Sequence, residues 1–156
     1  MTVVGLISDT HGLLRPEITA IFDGVDLIVH AGDVGGGAVL TGLRKLAPVE
    51  AVYGNVDDPS DPMLRATRRL DLDGMTIHVS HGHEFGSPTP ELALARYDAD
   101  VVVFGHTHKA VVVRALRGRM AVNPGAAGPR RFKLKPSVAR LTIDAGRVDV
   151  EIISIP

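Results

Sequence analysis

The stretch VVGLISDTHG at residues 3–12 decides the fold, because a short apolar run passes directly into a polar turn that ends in glycine. Apolar runs of this length, rich in β-branched residues, are typical of strands that are buried on both faces of a sheet. The same pattern returns further along the chain, at residues 27–33, 49–55, 76–83, 101–108 and 120–125. We therefore predict a series of buried strands, each followed by a polar turn.

Amphipathic segments fill the spaces between the early strands. Segments that begin near Pro16, Val39 and Thr89 each place apolar side chains on one helical face. Later in the chain, turns that contain glycine separate pairs of apolar runs, which predicts β-hairpins. These turns lie at residues 73–74, 117–118 and 144–146. An α/β fold with two mixed β-sheets face to face and helices outside satisfies this pattern.

The composition limits the classes of protein to consider. A length of 156 residues and a hydrophobic content of 45% fit a single domain over residues 1–156. A net charge of −1 and 4% aromatic residues without tryptophan make nucleic acid an unlikely partner. The absence of cysteine excludes disulfides, thiolate metal sites and a cysteine nucleophile. No apolar run is long enough to span a membrane and no secretory signal is present, so we expect a cytoplasmic protein.

Metal-binding side chains follow five of the predicted strands. Because the carboxyl ends of parallel strands meet at one edge of a sheet, we expect these side chains to lie together. The set combines carboxylate, imidazole and amide donors, which suits two ions of Mn, Fe, Zn, Co or Ni better than Ca²⁺. The seven candidate ligands are Asp9, His11, Asp33, Asn55, His81, His106 and His108.

The spacing within these turns has a geometric interpretation. Asp9 and His11, like His106 and His108, are two residues apart, so in extended backbone their side chains point the same way. Glycine in each turn allows a tight bend and close approach of the backbone. These glycines are Gly12, Gly32, Gly54, Gly82 and Gly105.

Each motif taken alone also fits an ordinary turn or helix cap, and the common position after a strand favours a site. His30 and His78 lie within apolar runs, so we expect core or supporting roles for them, whereas His83 faces either the site or solvent. Asn123 is a candidate for orienting the site. A basic segment follows it, with two interpretations, a solvated loop or a clamp on an anionic substrate. Its residues are Arg130, Arg131, Lys133 and Lys135.

The order of these motifs resembles the calcineurin-like metallophosphoesterase superfamily. The motifs are Asp9-x-His11, Gly32-Asp33, Gly54-Asn55, His81-Gly82 and Gly105-His106-x-His108. The short length, the late Asn-Pro-Gly turn and the terminal hairpin resemble its compact branch, which includes small prokaryotic phosphodiesterases and the retromer-associated sorting protein. The resemblance covers nearly the whole chain, and it implies a four-layer αββα sandwich with a dinuclear metal centre.

The resemblance also implies how the two metals are held. The first metal would be bound by Asp9, His11 and His108 and the second by Asn55, His81 and His106, with Asp33 bridging both. It implies catalytic roles for Asp33, Asn55 and His81, and two divalent ions, of which manganese is favoured. A homodimer is also expected from the family.

Formal charge favours a phosphoester as the substrate. Two divalent cations bring +4, Asp9 and Asp33 bring −2, and a bridging hydroxide leaves +1, which attracts an anionic phosphoester. The hypothesis is in-line attack of that hydroxide on phosphorus, without a covalent enzyme intermediate. We therefore predict a metal-dependent phosphodiesterase that acts on a small phosphoester.

One residue departs from the pattern of the superfamily. Many members have histidine directly after the metal-binding asparagine, where it helps to protonate the leaving alkoxide, whereas this chain has Val56. Members of the compact branch often lack that histidine too. Loss of a general acid costs roughly 10²–10⁴-fold, so we expect aryl phosphodiesters to react faster than alkyl esters. His83 or a metal-bound water could replace the acid, and a protein-interaction scaffold without turnover is the alternative hypothesis.

Overall fold

The computed structural model describes residues 1–131 and 133–156, and that part of the chain forms ten strands, three α-helices and two 3₁₀ turns. The strands are β1 (Thr2–Ile7), β2 (Leu27–His30), β3 (Val49–Ala51), β4 (Thr67–Leu72), β5 (Met75–Ser80), β6 (Val101–Val103), β7 (Val111–Arg114), β8 (Met120–Asn123), β9 (Ser137–Asp144) and β10 (Arg147–Ser154). The helices are α1 (Ile18–Ile21), α2 (Gly37–Arg44) and α3 (Pro90–Arg96), and the 3₁₀ turns are His83–Phe85 and Leu116–Gly118.

The strands form two mixed sheets of five strands each. The first sheet has the order β10-β9-β1-β2-β3, and the second has the order β4-β5-β6-β8-β7. Strands β1, β2 and β3 are parallel, as are β5, β6 and β8. The predicted hairpins are confirmed, because β4–β5, β7–β8 and β9–β10 pair antiparallel. Each sheet thus contains three adjacent parallel strands, at whose carboxyl ends a ligand can bind.

The core shows how the layers are stacked. Leu6 of β1 and Val79 of β5 lie in one buried cluster between the two sheets. On the outer face of the first sheet, Ile28 packs in a second cluster with Leu40 of α2. Ala93 of α3 packs on the outer face of the second sheet. The order helix, sheet, sheet, helix confirms the predicted four-layer α/β architecture.

Some elements end earlier than the sequence pattern predicts. The helix expected from Pro16 is reduced to the single turn of α1, because Glu17 at its N-cap position makes no side-chain hydrogen bond and three of the four residues of α1 are β-branched, which weakens the helix. Strand β3 stops at Ala51, and Val52 makes an isolated bridge with Arg65 instead.

None of the helices in the described part of the chain is long and apolar enough to cross a membrane.

Candidate metal centre

The structure gathers the seven predicted ligands at the carboxyl ends of the parallel strands. They come from the turns after β1, β2 and β3 of the first sheet and after β5 and β6 of the second. Among residues 1–131 and 133–156, two groups of side chains could each hold a metal ion, with their ligand atoms within 4.8 Å of one another. The first group is Asp9, His11 and His108, and the second is Asp33, His81 and His106.

The distances within each group approach those of a coordination shell. Nε2 of His108 lies 3.3 Å from Oδ1 of Asp9. In the second group, Nε2 of His81 lies 3.3 Å from both Oδ2 of Asp33 and Nδ1 of His106. Metal–ligand bonds of about 2.1 Å place neighbouring ligand atoms about 3.0–3.4 Å apart, so little movement is needed to surround a cation.

Asp33 of the second group also approaches the first group, and Asn55 extends the second one. Oδ2 of Asp33 is 3.6 Å from Nε2 of His11 in the first group and 3.3 Å from Nε2 of His81 in the second. Oδ1 of Asn55 lies 3.2 Å from the same His81 nitrogen. A carboxylate in this position can contact two cations at once, as a shared ligand requires.

Unpartnered polar atoms in the first group fit a cation. Oδ1 of Asp9 and Nε2 of His11 are buried and have no hydrogen-bond partner among the described residues. Leaving such atoms unpaired costs about 1–3 kcal/mol each, and more when they are charged. The other carboxylate oxygen, Oδ2 of Asp9, accepts hydrogen bonds from Oγ of Ser8 (2.6 Å) and from the backbone N–H of His106 (3.1 Å). One oxygen therefore orients the side chain, and the other remains free to bind a metal.

In the second group, too, a hydrogen bond holds one polar atom of the side chain and leaves another to bind a metal. Oδ1 of Asp33 accepts a hydrogen bond from the backbone N–H of Val56 (3.1 Å), which leaves Oδ2 facing the histidines. Nδ1 of His81 lies 2.8 Å from the carbonyl oxygen of Ala31 and donates to it, so Nε2 carries the free lone pair. A histidine that binds a metal usually donates its other ring N–H in this way. Both groups thus fit the divalent cations that their donor types suggest.

Electrostatics keep the two carboxylates ionised. Burial opposes ionisation of Asp33, but a hydrogen bond with His81 and the charge of that imidazole lower the pKa of Asp33 to about 2. For Asp9 the penalty of burial is likewise outweighed, chiefly by His108 and His81, and the pKa of the carboxyl lies below its usual value. Burial also disfavours the charged imidazole of His81, yet the two aspartates raise its pKa. The centre attracts positive charge, which a proton or a metal cation can supply.

The backbone of the ligand turns differs from the sequence expectation. We expected extended backbone around the ligand pairs, and this is wrong: Asp9, His11, His106 and His108 have φ values of 53°, 46°, 72° and 64°, and Asp33 has 53°. These values lie in the left-handed region, which residues other than glycine seldom adopt. The side chains converge because each residue lies in a tight turn directly after a strand. Such conformations cost of order 1–3 kcal/mol each and are frequent at functional sites.

Two of the turn glycines are required by close approach, as the sequence suggested. A Cβ atom at Gly54 would overlap Oδ1 of Asp33. A Cβ atom at Gly105 would overlap Oγ of Ser8 and lie 2.7 Å from Oδ2 of Asp9. Both glycines therefore allow the backbone to contact a metal-binding carboxylate directly.

Asp57 is a supporting residue that the sequence interpretation missed. Its carboxylate accepts hydrogen bonds from the backbone N–H groups of Val34 (3.0 Å), Gly35 (3.0 Å) and Gly54 (2.8 Å). It thereby joins the turn after Asp33 to the turn that carries Asn55. The sequence signal for this role is its place in Gly54-Asn55-Val56-Asp57, two residues after the ligand Asn55.

Asn123 and His30 also support the turns. Nδ2 of Asn123 donates to the carbonyl oxygen of Gly105 (3.2 Å) and to Oγ1 of Thr107 (3.1 Å), which fixes the turn that carries two histidine ligands. His30 is fully buried, and its Nε2 lies 3.0 Å from Oγ1 of Thr10, between two ligands of the first group. Burial lowers the pKa of His30 to about 4, so it is neutral at physiological pH. His78 lies apart from the centre and stacks on Tyr97.

Part of the basic segment lines a separate cavity. Arg130 and Lys135 line a cavity of about 470 Å³ together with Arg15 and the last residues of the chain, and none of the seven ligands lines it. Burial is the main reason that the pKa of His11 is lowered, and the charge of Arg131 contributes to the same shift. The charge of Arg131 therefore acts on His11, a ligand of the first group.

Comparisons with a family model, with known sequences and with solved structures all give matches over nearly the whole chain. A family model described as the calcineurin-like phosphoesterase superfamily domain matches residues 1–146. A probable metallophosphoesterase of Methanothermobacter thermautotrophicus is 37% identical, over 97% of this chain and 91% of that protein. Wild-type Vps29 from Entamoeba histolytica, solved with zinc, superposes with a TM-score of 0.77 at 24% identity, over 98% of this chain and 99% of that one. A novel archaeal phosphodiesterase superposes with a TM-score of 0.77 at 23% identity, over 97% and 100% of the two chains.

Proposed function

The chain belongs to the calcineurin-like phosphoesterase superfamily, and from that premise we propose that it is a dinuclear metal-dependent phosphodiesterase, folded as one domain over residues 1–156. The observation that carries the proposal is the position of Asp33, whose Oδ2 atom lies near a histidine of each group of metal-binding side chains. The unpartnered buried atoms of Asp9 and His11 support it, because they fit a bound cation.

The proposal assigns the ligands as follows. Asp9, His11 and His108 would hold the first cation and Asn55, His81 and His106 the second, with Asp33 shared by both. Manganese is the metal we favour, and Fe, Zn, Co and Ni also suit these donors. When bound, such cations lower the pKa of water and stabilise negative charge on a phosphoryl group.

The residues of this chain prepare the centre for an anionic substrate. Asp9 and Asp33 supply two negative charges, which is fewer than the positive charges of two divalent cations, so the loaded centre attracts a phosphoester. Backbone donors already orient both carboxylates, as described above. The centre therefore needs little rearrangement when a substrate binds, and this preorganisation favours catalysis.

The residue at position 56 cannot supply a proton to the leaving group. Val56 follows Asn55 and is 55% exposed, and its side chain cannot donate a proton. We therefore expect hydrolysis of aryl phosphodiesters, whose leaving groups need no proton, to exceed that of alkyl phosphodiesters by about 10²-fold or more. Initial rates on paired aryl and alkyl substrates measure this difference, and equal rates would contradict the reasoning.

The test of the proposal is hydrolysis by protein that has been stripped with a chelator and reloaded with Mn²⁺. Bis(p-nitrophenyl) phosphate should be hydrolysed, and the variants Asp33→Asn and His106→Ala should lose the activity. Asp149→Asn is the matched control, because Asp149 is an exposed aspartate whose side chain pairs with Arg114 rather than with the centre. In ¹⁸O-labelled water, the label should enter the phosphorus-containing product. Activity that survives both substitutions, or label found only in the alcohol, would overturn the proposal.

A second candidate is a protein-interaction scaffold that binds metals without turnover. Val56 favours it, because the position that would supply a proton cannot do so, and the fold likeness to Vps29 is compatible with it. Metal analysis separates the two candidates when it is combined with the assay above. A protein that binds two equivalents of metal but hydrolyses no aryl diester would favour the scaffold. We also propose a homodimer, which light scattering on the purified protein tests.

A further inference from the structure

A second cavity, of about 520 Å³, lies beside the metal centre, and four of its eight lining residues carry ring side chains. Tyr53, Phe85 and Tyr97 line it together with His83. The chain has only four phenylalanines and two tyrosines, so half of these six residues meet at one cavity. Its volume lies within the range of about 300–1,000 Å³ that is usual for ligand pockets.

A row of rings connects this cavity to the metal centre. The ring centroids of His81 and His83 are 5.4 Å apart, and those of His83 and Tyr53 are 6.4 Å apart. Phe85 lies 6.1 Å from Tyr97, edge to face. These spacings are typical of aromatic pairs that contact each other. Through His83, these ring pairs link the lining of the cavity to His81, a ligand of the second group.

Contacts on several sides hold the side chain of Tyr97, which lines the cavity, in place. The ring of Tyr97 stacks on His78, with centroids 3.8 Å apart. Its hydroxyl donates a 2.6 Å hydrogen bond to Oε2 of Glu84, and the guanidinium of Arg96 lies 5.1 Å from the ring centroid. A preformed aromatic surface loses little entropy when a ligand binds.

The cavity also offers polar groups at its edge. Glu84 and Arg96 line it along with the rings, and they present a carboxylate and a guanidinium to the same space. The four aromatic side chains are only partly buried, so the cavity leaves part of their surface open to a ligand. Apolar ring faces with a few convergent polar groups are the usual composition of a site for a small aromatic ligand.

We propose that this cavity binds the aromatic ring of the substrate, so that the enzyme acts on phosphodiesters that carry one nucleobase or aryl group. The proposal rests on the phosphodiesterase function proposed above and names its substrate class. A single ring-binding cavity beside the metal centre agrees with the sequence evidence against a surface for single-stranded nucleic acid.

The test measures binding rather than turnover. Phenylphosphonate and methylphosphonate present the same anion to the metals and have a P–C bond that the enzyme cannot hydrolyse. Calorimetry on the Mn²⁺-loaded protein should give about tenfold tighter binding of phenylphosphonate. The double variant Tyr53→Leu, Phe85→Leu should reduce that ratio to within about twofold. Tyr53→Phe is the matched control, because it keeps the ring and should keep the ratio.

A second pair of ligands distinguishes a nucleobase from a simple aryl group. Tighter binding of thymidine 5′-monophosphate than of 2-deoxyribose 5-phosphate supports nucleobase recognition. A preference confined to the phosphonate pair supports an aryl group. A ratio near one in both pairs overturns the proposal.

Thermal unfolding of each variant separates recognition from packing. If the rings only pack the protein, the leucine variants lower Tm and leave the phosphonate ratio as it was, which also overturns the proposal. If only the proposed phosphodiesterase function is wrong, the protein binds phenylphosphonate more tightly than methylphosphonate and yet hydrolyses no aryl diester. Turnover without any ring preference, in contrast, contradicts only the assignment of this cavity.

Discussion

Replacing Asp57 should weaken both the fold and the metal centre, because its carboxylate joins two ligand turns. The variant Asp57→Ala removes an acceptor from three backbone N–H groups, those of Val34, Gly35 and Gly54. The N–H of Gly35 is exposed and regains a hydrogen bond from water, whereas the other two are partly buried. A hydrogen bond to a charged group contributes about 1.5–3 kcal/mol when it is buried, and less when water competes.

The two partly buried bonds set the expected magnitude. We expect Asp57→Ala to lower the free energy of unfolding of the metal-free protein by about 2–3 kcal/mol. In a chain of this size the loss corresponds to a decrease in Tm of about 4–12 °C. Affinity for Mn²⁺ should fall by about 10–100-fold, because the turns that carry Asp33 and Asn55 lose their common support.

Urea denaturation measures the stability, and calorimetric titration with Mn²⁺ measures the affinity. Asp58→Ala is a matched control, since Asp58 is an exposed neighbour whose carboxylate accepts hydrogen bonds only from Ser60 among the described residues. Asp58→Ala should leave the metal affinity as it is. If Asp57→Ala proves as stable as this control and binds Mn²⁺ equally well, Asp57 does not support the centre.

Three further predictions concern other parts of the structure. Gly105→Ala should weaken Mn²⁺ binding by at least tenfold in a calorimetric titration, because its methyl group would displace the carboxylate of Asp9. Saturating Mn²⁺ at about 100 times its Kd should stabilise the protein in urea denaturation by about 2.7 kcal/mol for each ion bound, and Asp33→Asn should lose most of this gain. Burial and the hydrogen bond to Glu84 raise the pKa of Tyr97 to about 12, so an absorbance titration should show one phenol with that midpoint. The stability that this raised pKa contributes is fully present below the ordinary tyrosine value of about 10 and is lost as pH rises through about 12. The variant Glu84→Gln should lower the midpoint of the phenol titration.

The strands and the ligand turns could be predicted from the sequence because local patterns encode them. Short β-branched runs such as Val101–Val103 are buried on both faces, and a strand of that kind must end in a turn at the sheet edge. Asp9 and Asp33 then meet at one edge of the first sheet, and His81 and His106 at one edge of the second, since the strands before each pair are parallel. Side-chain identity and strand direction were therefore enough to gather the ligands within each sheet, and the stacking of the two sheets brings the two sets together.

The structural features that the sequence does not predict depend on contacts between residues that are distant in the chain. The left-handed backbone of Asp9 and His106 follows from how two turns meet, and no apolar pattern reports it. Asp57 bonds to an amide 23 residues away, at Val34. The aromatic cavity brings Tyr53 to Tyr97 across different strands and turns, so it becomes visible only when both sheets are in place.

The two sheets contribute jointly to each candidate metal position. Asp9 and His11 follow a strand of the first sheet, whereas their partner His108 follows a strand of the second. The other group combines Asp33 from the first sheet with histidines from the second. Each cation would therefore cross-link the halves of the sandwich along one rim, much as a disulfide would in a chain that has no cysteine. Chelation should then loosen that rim as a unit, and hydrogen exchange should accelerate there in both sheets together while the opposite rim stays protected.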